Sequence, residues 1–522
     1  MSQIAHLGEV LGTYARVFPD KIGARDLDRE LTYRAWNDRA CRLANALVGM
    51  GLAKGDRVCV LAYNCLEWVE IYAATAKAGL IAVPINFRLV GPEILYLIED
   101  CQARVLIVQD ELLGSIEPVR ADLPLPASNF VIFGEHTRIA GYRAYEDLIA
   151  AASDSATSIN ISTDDPSTLM YTSGTTGKPK GAVRNHGSSA IMALVADVEL
   201  TLTARDTALL AMPMCHANSL FLLGAFAYCG AACTIYSRKK FDPEHLVHTL
   251  AQGGATFTSL VPTHYIMMLG LPSAVRRRYN LDAVTKLMIS SAPAHRDTKL
   301  AIMDYFRNAG LYELYGSTEA GMVTILHPDE QLSNLGSVGR ECIGSRRIKL
   351  LDPLGNEVPD GEAGELYSCN PYTFDGYWNL PEKTREAFRG DYCTVGDLAR
   401  RDEDGYIYLI DRKSNMIISG GENVYPAEVE GVLGGHPKVK HIAVMAVPDE
   451  KWGERVHAVI VLQDGQAPTP DEILDWCKSR IAGHKRPRSI SFIREDEMPM
   501  TATGKILHRL LHTRNPAGSC YR

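Results

Sequence analysis

At 522 residues the chain is too long for one hydrophobic core, at about 100 to 200 residues per domain, so a large unit plus a smaller one is expected. Hydrophobic residues make up 46% and charged residues 22%, and 54 basic against 62 acidic side chains leave a formal charge of -8, with no basic excess of the kind a nucleic-acid binder carries. The 12 cysteines contain no C-x-x-C pair and no Cys/His cluster at zinc spacing, and Cys41, Cys59 and Cys233 sit in apolar runs, the pattern of buried thiols in a cytoplasmic protein.

The amino-terminal stretch "MSQIAHLGEVLGTYARVFPDK" carries Glu9 and Asp20 on an amphipathic rhythm, unlike a secretory leader. From Leu31 the pattern alternates. Thr32 is placed to cap a helix running to Gly51, "DRVCVLAYN" reads as a strand and "CLEWVEIYAATAKAG" as a helix; strand "IAVPIN", helix "GPEILYLIEDCQA" and strand "RVLIVQ" follow. Strands and helices alternating at this length predict a parallel sheet with helices on its faces. Residues 151–166, rich in Ser and Asp, read as a surface connection. Residues 219–236, "SLFLLGAFAYCGAACTIY", hold no charge and meet the minimum length for a membrane span, but Cys229-Gly230 divides them, which predicts a buried helix followed by a buried strand.

Further along, "IKLLDPLGNEVPDGEAGELYS" alternates around turn signals and predicts short antiparallel strands. A strand is expected to end at Asp411, and Pro426 to open a helix after the Gly420-Gly421 break. The domain boundary is therefore placed between 411 and 412, giving domains 1–411 and 412–522. The second holds strands "HIAVMAV" and "RVHAVIVLQ" and a helix capped by Thr469, with Pro470 in its first turn and Asp471 and Glu472 suited to its dipole.

One stretch carries chemistry by itself. "YTSGTTGKPKG", from Tyr171 to Gly181, supplies small hydroxyls, glycines and two lysines with no acid, the groups that hold phosphate oxygens through backbone N–H, hydroxyl and ammonium donors. A Walker A loop needs four residues between its glycines and a Ser or Thr after its Lys. Here only Thr175-Thr176 separate Gly174 from Gly177, and Pro179 follows Lys178, so the spacing excludes it.

With this stretch in view the chain resembles the acyl-CoA synthetases of the adenylate-forming enzymes, a group that includes luciferases and peptide-synthetase adenylation domains. "YTSGTTGKPKG", "MPMCH" ending at His216, "YGSTE" ending at Glu319, "VGD" ending at Asp397, "DRKSN" from Asp411, "GGENVYP" from Gly420 and "TATGKILHR" around Lys505 occur in the family's order. The resemblance implies an α/β fold: a large amino-terminal domain of two helix-flanked sheets and a small β-barrel, and a smaller, mobile α+β carboxy-terminal domain. It implies ATP, Mg²⁺ and coenzyme A acting with a carboxylic acid, no nucleic-acid partner and no transmembrane span, with a homodimer possible and the oligomeric state left open.

Residue by residue, the resemblance assigns Thr172, Ser173, Gly174, Thr175, Thr176 and Lys180 to the β- and γ-phosphates, Thr318 to the α-phosphate, and Glu319 to Mg²⁺. Tyr315 and Gly316 would flank adenine, Asp397 would hold the ribose with Arg412 beside it, and Lys505 would bridge the attacking carboxylate and the α-phosphate. His216 would line the junction of acyl group and nucleotide, and Gly420, Gly421 and Glu422 would help admit coenzyme A. Cys215, His216, Ser219, Ser290, Ser291, Ala292 and Met322 would line the acyl pocket. This uncharged set argues against a dicarboxylate, which calls for a pocket Arg, and favours a medium-chain fatty or an aromatic acid. The chain departs from the family at the hinge, Ser414 in place of Asp or Lys, and at Tyr392, where a Trp is common. Three alternatives are transfer of the acyl group to a carrier protein, an oxygen-using reaction, and a non-catalytic binding protein of the same fold. The last is disfavoured by the presence of both Lys505 and Glu319.

Overall fold

The computed structural model describes residues 4–172, 178–292, 294–413, 415–419, 422–449, 452–478, 480–500, 506–508 and 510–511. The chain forms two compact units: Met1–Leu335 with Gly339–Arg347 and Ser368–Cys393, and Gly336–Val338 with Ile348–Tyr367 and Thr394–Arg522.

The described residues of the first unit build two large sheets, of eight and nine strands. In the eight-stranded sheet, Ile81–Ile85, Arg57–Leu61, Val105–Gln109 and Phe130–Phe133 run parallel. Their near-continuous Val, Ile and Leu content follows from burial on both faces. The helix Glu67–Ala78 crosses between Arg57–Leu61 and Ile81–Ile85 and ends on Gly79, whose φ of 63° closes the last turn in the left-handed conformation. Pro166–Thr172 and Lys180–Asn185 extend this sheet as an antiparallel pair, and Gly376–Tyr377 pairs beyond them.

In the nine-stranded sheet, Ala232–Ile235, Thr207–Leu210, Phe257–Leu260, Lys286–Ser290 and Gly310–Ser317 lie side by side in parallel. The return strand Gly321–Leu326 is antiparallel to Gly310–Ser317. Ligands of open α/β sheets bind outside the carboxyl ends of such parallel strands, and the segments following three of these neighbours, Thr207–Leu210, Lys286–Ser290 and Gly310–Ser317, carry expected site residues.

Thr32 caps the helix Tyr33–Gly49 through its side chain, and the chain leaves that helix two residues earlier than expected because Gly51 turns to φ +90°. The uncharged run at 219–236 is the expected buried pair, helix Ala217–Tyr228 and strand Ala232–Ile235. No described helix is long and apolar enough to cross a membrane. The described cysteines, Cys41 to Cys477, are free thiols.

In the second unit, Asp397–Arg401 pairs antiparallel with Ile407–Arg412, one residue past the expected end at Asp411, and Gly364 and Glu365 pair with Ala399 and Leu398. The carboxy-terminal sheet is built on the long hairpin Val439–Asp449 and Gly453–Leu462, with Ser489–Phe492 parallel to the latter. Helix Pro426–Gly434 opens on its proline as expected, and Thr469 caps Pro470–Cys477. Val429, Leu433, Val456, Ile460 and Ile473 form the apolar centre.

Candidate active site

The phosphate-type stretch joins two strands in register, Thr172 opposite Lys180 and Tyr171 opposite Gly181. Ser173, Gly174, Thr175 and Thr176 lie outside the described residues, so the geometry here rests on the two ends. At one end, Thr172 Oγ1 donates to Glu319 Oε1 at 3.0 Å. At the other, Lys180 Nζ stands 4.0 Å from the ring centroid of Tyr377, and the Tyr377 hydroxyl donates to the same Glu319 oxygen at 2.9 Å. Burial lowers the Lys180 ammonium below its ordinary range, partly offset by Glu319. One carboxylate oxygen thus takes two neutral donors, and the second has no partner among the described residues.

Gly316 is required by close approach: a Cβ there would stand 2.2 Å from the Gly321 carbonyl oxygen, across the bulge that separates the pairings of Tyr315 and Gly316. The turn that follows is held from outside. Arg184 Nη2 donates to the Thr318 carbonyl at 2.7 Å, the Phe374 N–H to the Glu319 carbonyl at 2.8 Å, and Asn370 Nδ2 to the Ala320 carbonyl at 2.8 Å. The other arm of Arg184 donates to the Tyr372 carbonyl. Arg184 and Tyr377 were not among the residues singled out in the sequence. Tyr377 lies far from the motif in sequence, and only its pairing opposite Ala182 brings it there.

At the positions expected to face the acid, His216 precedes the helix Ala217–Tyr228 without capping it, and its Nε2 is buried with no hydrogen-bond partner among the described residues. Burial pushes the imidazole down to about 4, with Arg88 adding to the effect. Asn218 Nδ2 reaches Ser259 Oγ at 3.1 Å and Ser290 Oγ at 2.9 Å, while Oδ1 is buried and unpartnered. Both serine hydroxyls accept as well as donate, so whichever way the amide is turned its other end faces no partner. His264, on the helix Pro262–Leu269, stacks on Phe241 with centroids 3.8 Å apart, and its Nδ1 is also buried and unpartnered. Its pKa too is pushed down to about 4, by burial and then Arg88. Arg88 therefore lies within electrostatic reach of both imidazoles. Asn218 and His264 are further residues that were not singled out in the sequence.

Ser291 follows the strand Lys286–Ser290 at φ 69°, a conformation costly for a residue with a Cβ, and its hydroxyl lies 3.4 Å from that of Ser290. Ala292 comes next and is half-buried. Cys215, Ser219 and Met322 are buried, with Ser219 Oγ bound to the Met212 carbonyl and the Met322 carbonyl accepting from Tyr372.

In the second unit, Asp397 and Arg412 stand opposite each other in register, with Arg412 Nε 3.1 Å from the Asp397 carboxylate. Asp411 accepts from the backbone N–H of Arg412 and of Ala427, and burial raises its carboxyl above the usual range. The backbone of Glu422 pairs with Ser419. Ser414, Gly420, Gly421 and Lys505 lie outside the described residues.

Two family models match the chain, the AMP-binding enzyme over residues 12–378 and the AMP-binding enzyme C-terminal domain over residues 428–505. The chain is 36% identical to a feruloyl-CoA synthase of Amycolatopsis sp over 94% of its own length and 96% of that protein. It is 33% identical to a long-chain-fatty-acid–CoA ligase of Mycobacterium tuberculosis, covering 93% of each. Among solved structures it is similar to the anthranilate CoA ligase AuaEII in complex with anthranoyl-AMP, with a TM-score of 0.89, 29% identity and 98% of each chain covered. The motif order, the two-sheet fold and these matches agree: the chain belongs to the AMP-binding enzyme family and is an acyl-CoA synthetase, an acid–thiol ligase that works through an acyl-AMP.

Proposed function

We propose that this synthetase activates an aromatic acid bearing a hydroxyl or amino group. The observation that carries the reading is the pair Asn218 and His264, each with a buried polar atom that no group among the described residues satisfies. An alkyl chain would leave both unpartnered, at a cost of about 1–3 kcal/mol for each group. A ring hydroxyl satisfies either end of the amide, because it both donates and accepts. The similarity to a feruloyl-CoA synthase and to an anthranilate CoA ligase supports the same class.

In the first half-reaction the acid's carboxylate attacks the α-phosphorus of ATP and pyrophosphate leaves, an encounter of anions in which positioning and charge neutralisation dominate. Thr172, Ser173, Gly174, Thr175, Thr176 and Lys180 hold the β- and γ-phosphates, and Thr318 the α-phosphate. Tyr315 and Gly316 flank adenine, and Asp397 with Arg412 holds the ribose. Lys505 supplies the positive charge between the carboxylate and the α-phosphorus. Among the described residues no group of three or more His, Cys, Asp or Glu side chains is placed to hold a metal ion. Glu319, with one carboxylate oxygen left over, fits a Mg²⁺ and would hold it through that oxygen. That ion would neutralise phosphate charge. In the second half the thiol of coenzyme A attacks the acyl carbon and AMP departs, with Gly420, Gly421 and Glu422 helping to admit the thiol after a rotation at Ser414, between domains 1–411 and 412–522.

Incubating the enzyme with ATP, Mg²⁺, coenzyme A and a panel of acids tests this. AMP and pyrophosphate are expected in equal amounts, fastest with a hydroxylated or aminated aromatic acid. ADP as product, or pyrophosphate exchange without any acid, would contradict the chemistry. Octanoate outpacing every aromatic acid would contradict the substrate class.

A further inference from the structure

Arg184 has an unusual setting for an arginine. Strand periodicity places Lys180, Ala182 and Arg184 on one face of Lys180–Asn185, and on that face Ala182 packs with Phe374, Tyr377 and Cys393. Arg184 is 8% exposed and makes no ion pair among the described residues. Its two hydrogen bonds go to carbonyl oxygens, one on the turn at Thr318 and one on Tyr372. Burial pulls its guanidinium down to about 10, against the opposing influence of Asp375 and Glu319.

A buried charge without a carboxylate partner is a poor way to stabilise a fold, since an apolar side chain of similar volume would pack there at no desolvation cost. The contacts of Arg184 suggest another use. Residues 370–377 hold the turn through Asn370, Phe374 and Tyr377, and Arg184, from the neighbouring strand, grips both the turn and that segment, through the Thr318 and Tyr372 carbonyls. It braces the turn against the segment that clamps it. Two cations of one strand face, Lys180 and Arg184, lie within electrostatic reach of the Glu319 carboxylate.

We propose that Arg184 is a positioning residue for adenylate formation: its fork fixes the peptide at Thr318 and so the direction of the Thr318 and Glu319 side chains toward the nucleotide. The proposal rests on the nucleotide-binding roles given above to Thr318 and Glu319. A lysine could reach one carbonyl but not both, so charge alone does not replace it.

The test uses full-length Arg184→Leu, Arg184→Lys, Glu319→Gln and the double variant Arg184→Leu/Glu319→Gln, with thermal melting as the check on folding. Arg184→Leu is expected to raise KM for ATP at saturating Mg²⁺ at least tenfold and to slow adenylation. KM for the acid, and the rate at which synthetic acyl-AMP is passed to coenzyme A, should stay within twofold. Arg184→Lys should fall between wild type and Arg184→Leu. In the double variant the loss should be smaller than the product of the two single losses, because both act through one turn. An unchanged KM for ATP in Arg184→Leu, or a parallel fall of both half-reactions in a well-folded Arg184→Lys, would overturn the proposal. If Glu319→Gln itself leaves ATP use intact, the role given to Glu319 fails, and Arg184 with it; if only the Arg184 variants are silent, the brace alone fails.

Discussion

At the end proposed for the nucleotide, Thr172, Tyr377 and Arg184 donate to Glu319 and Thr318 from within the chain, whereas at the end proposed for the acid His216, Asn218 and His264 each keep a buried polar atom with no partner among the described residues. The first arrangement holds its shape before any substrate arrives, which is what electrostatic catalysis on a fixed phosphate geometry needs. The second is incomplete without its ligand. The proposed selectivity for a polar group rests on this, since an acid that lacks one would leave those atoms unpaired.

The comparison breaks most visibly if the nucleotide end is disarmed. Lys505→Ala should slow adenylate formation by about 100-fold to 1,000-fold, the usual effect of losing one preorganised donor, while preformed acyl-AMP still reacts with coenzyme A; equal loss of both steps in single-turnover assays would show that Lys505 is not specific to the first. Glu319→Gln should slow pyrophosphate release by about 100-fold with every acid alike, because it removes charge and not selectivity. A change in acid preference on that substitution would blur the division between the two ends.

Changes at the acyl end should do the reverse. Asn218→Leu and His264→Leu should each reduce the preference for a hydroxylated aromatic acid over its unsubstituted parent by about 10-fold to 100-fold, leaving KM for ATP in place. Ratios of kcat/KM for the two acids read this directly, and an unchanged ratio in both variants would remove the polar subsite.

The smallest effect concerns protons. His216 and His264 are held near 4 in the folded chain against an ordinary 6.5, so between those values the unfolded chain binds more protons. Stability must therefore fall as pH drops from about 6.5 toward 4. His264→Phe should flatten that decline in the melting temperature, and an identical slope in the variant would mean that His264 is not buried neutral.

Legibility in the sequence follows the same division. The parallel core could be read because Val- and Ile-rich strands such as "VCVL" and "IAVPI" alternate with helices of clear period, and the phosphate stretch because glycines and hydroxyls at fixed spacing have few other uses. Gly316 was named only through the family resemblance, and the structure supplies a physical reason for a glycine there, the 2.2 Å approach that excludes any Cβ. Tyr377 was not, because its place depends on a strand pairing between distant segments. Arg184 offered a weak signal, a charge inside the apolar strand "KGAVRN". Asn218 and His264 offered none, since a lone polar residue near an apolar helix does not announce whether its partner is protein or substrate. The second unit was read as starting near 412, yet Ile348–Tyr367 packs with it, a grouping that no local pattern signals.

The most direct test combines both ends in one measurement: supply a hydroxylated aromatic acid and octanoate, each labelled with oxygen-18 in its carboxylate, to the enzyme with ATP, Mg²⁺ and coenzyme A, and locate the label. The prediction is one labelled oxygen in AMP and none in pyrophosphate, accumulating faster from the aromatic acid. Label in pyrophosphate or ADP, or faster transfer from octanoate, would contradict it.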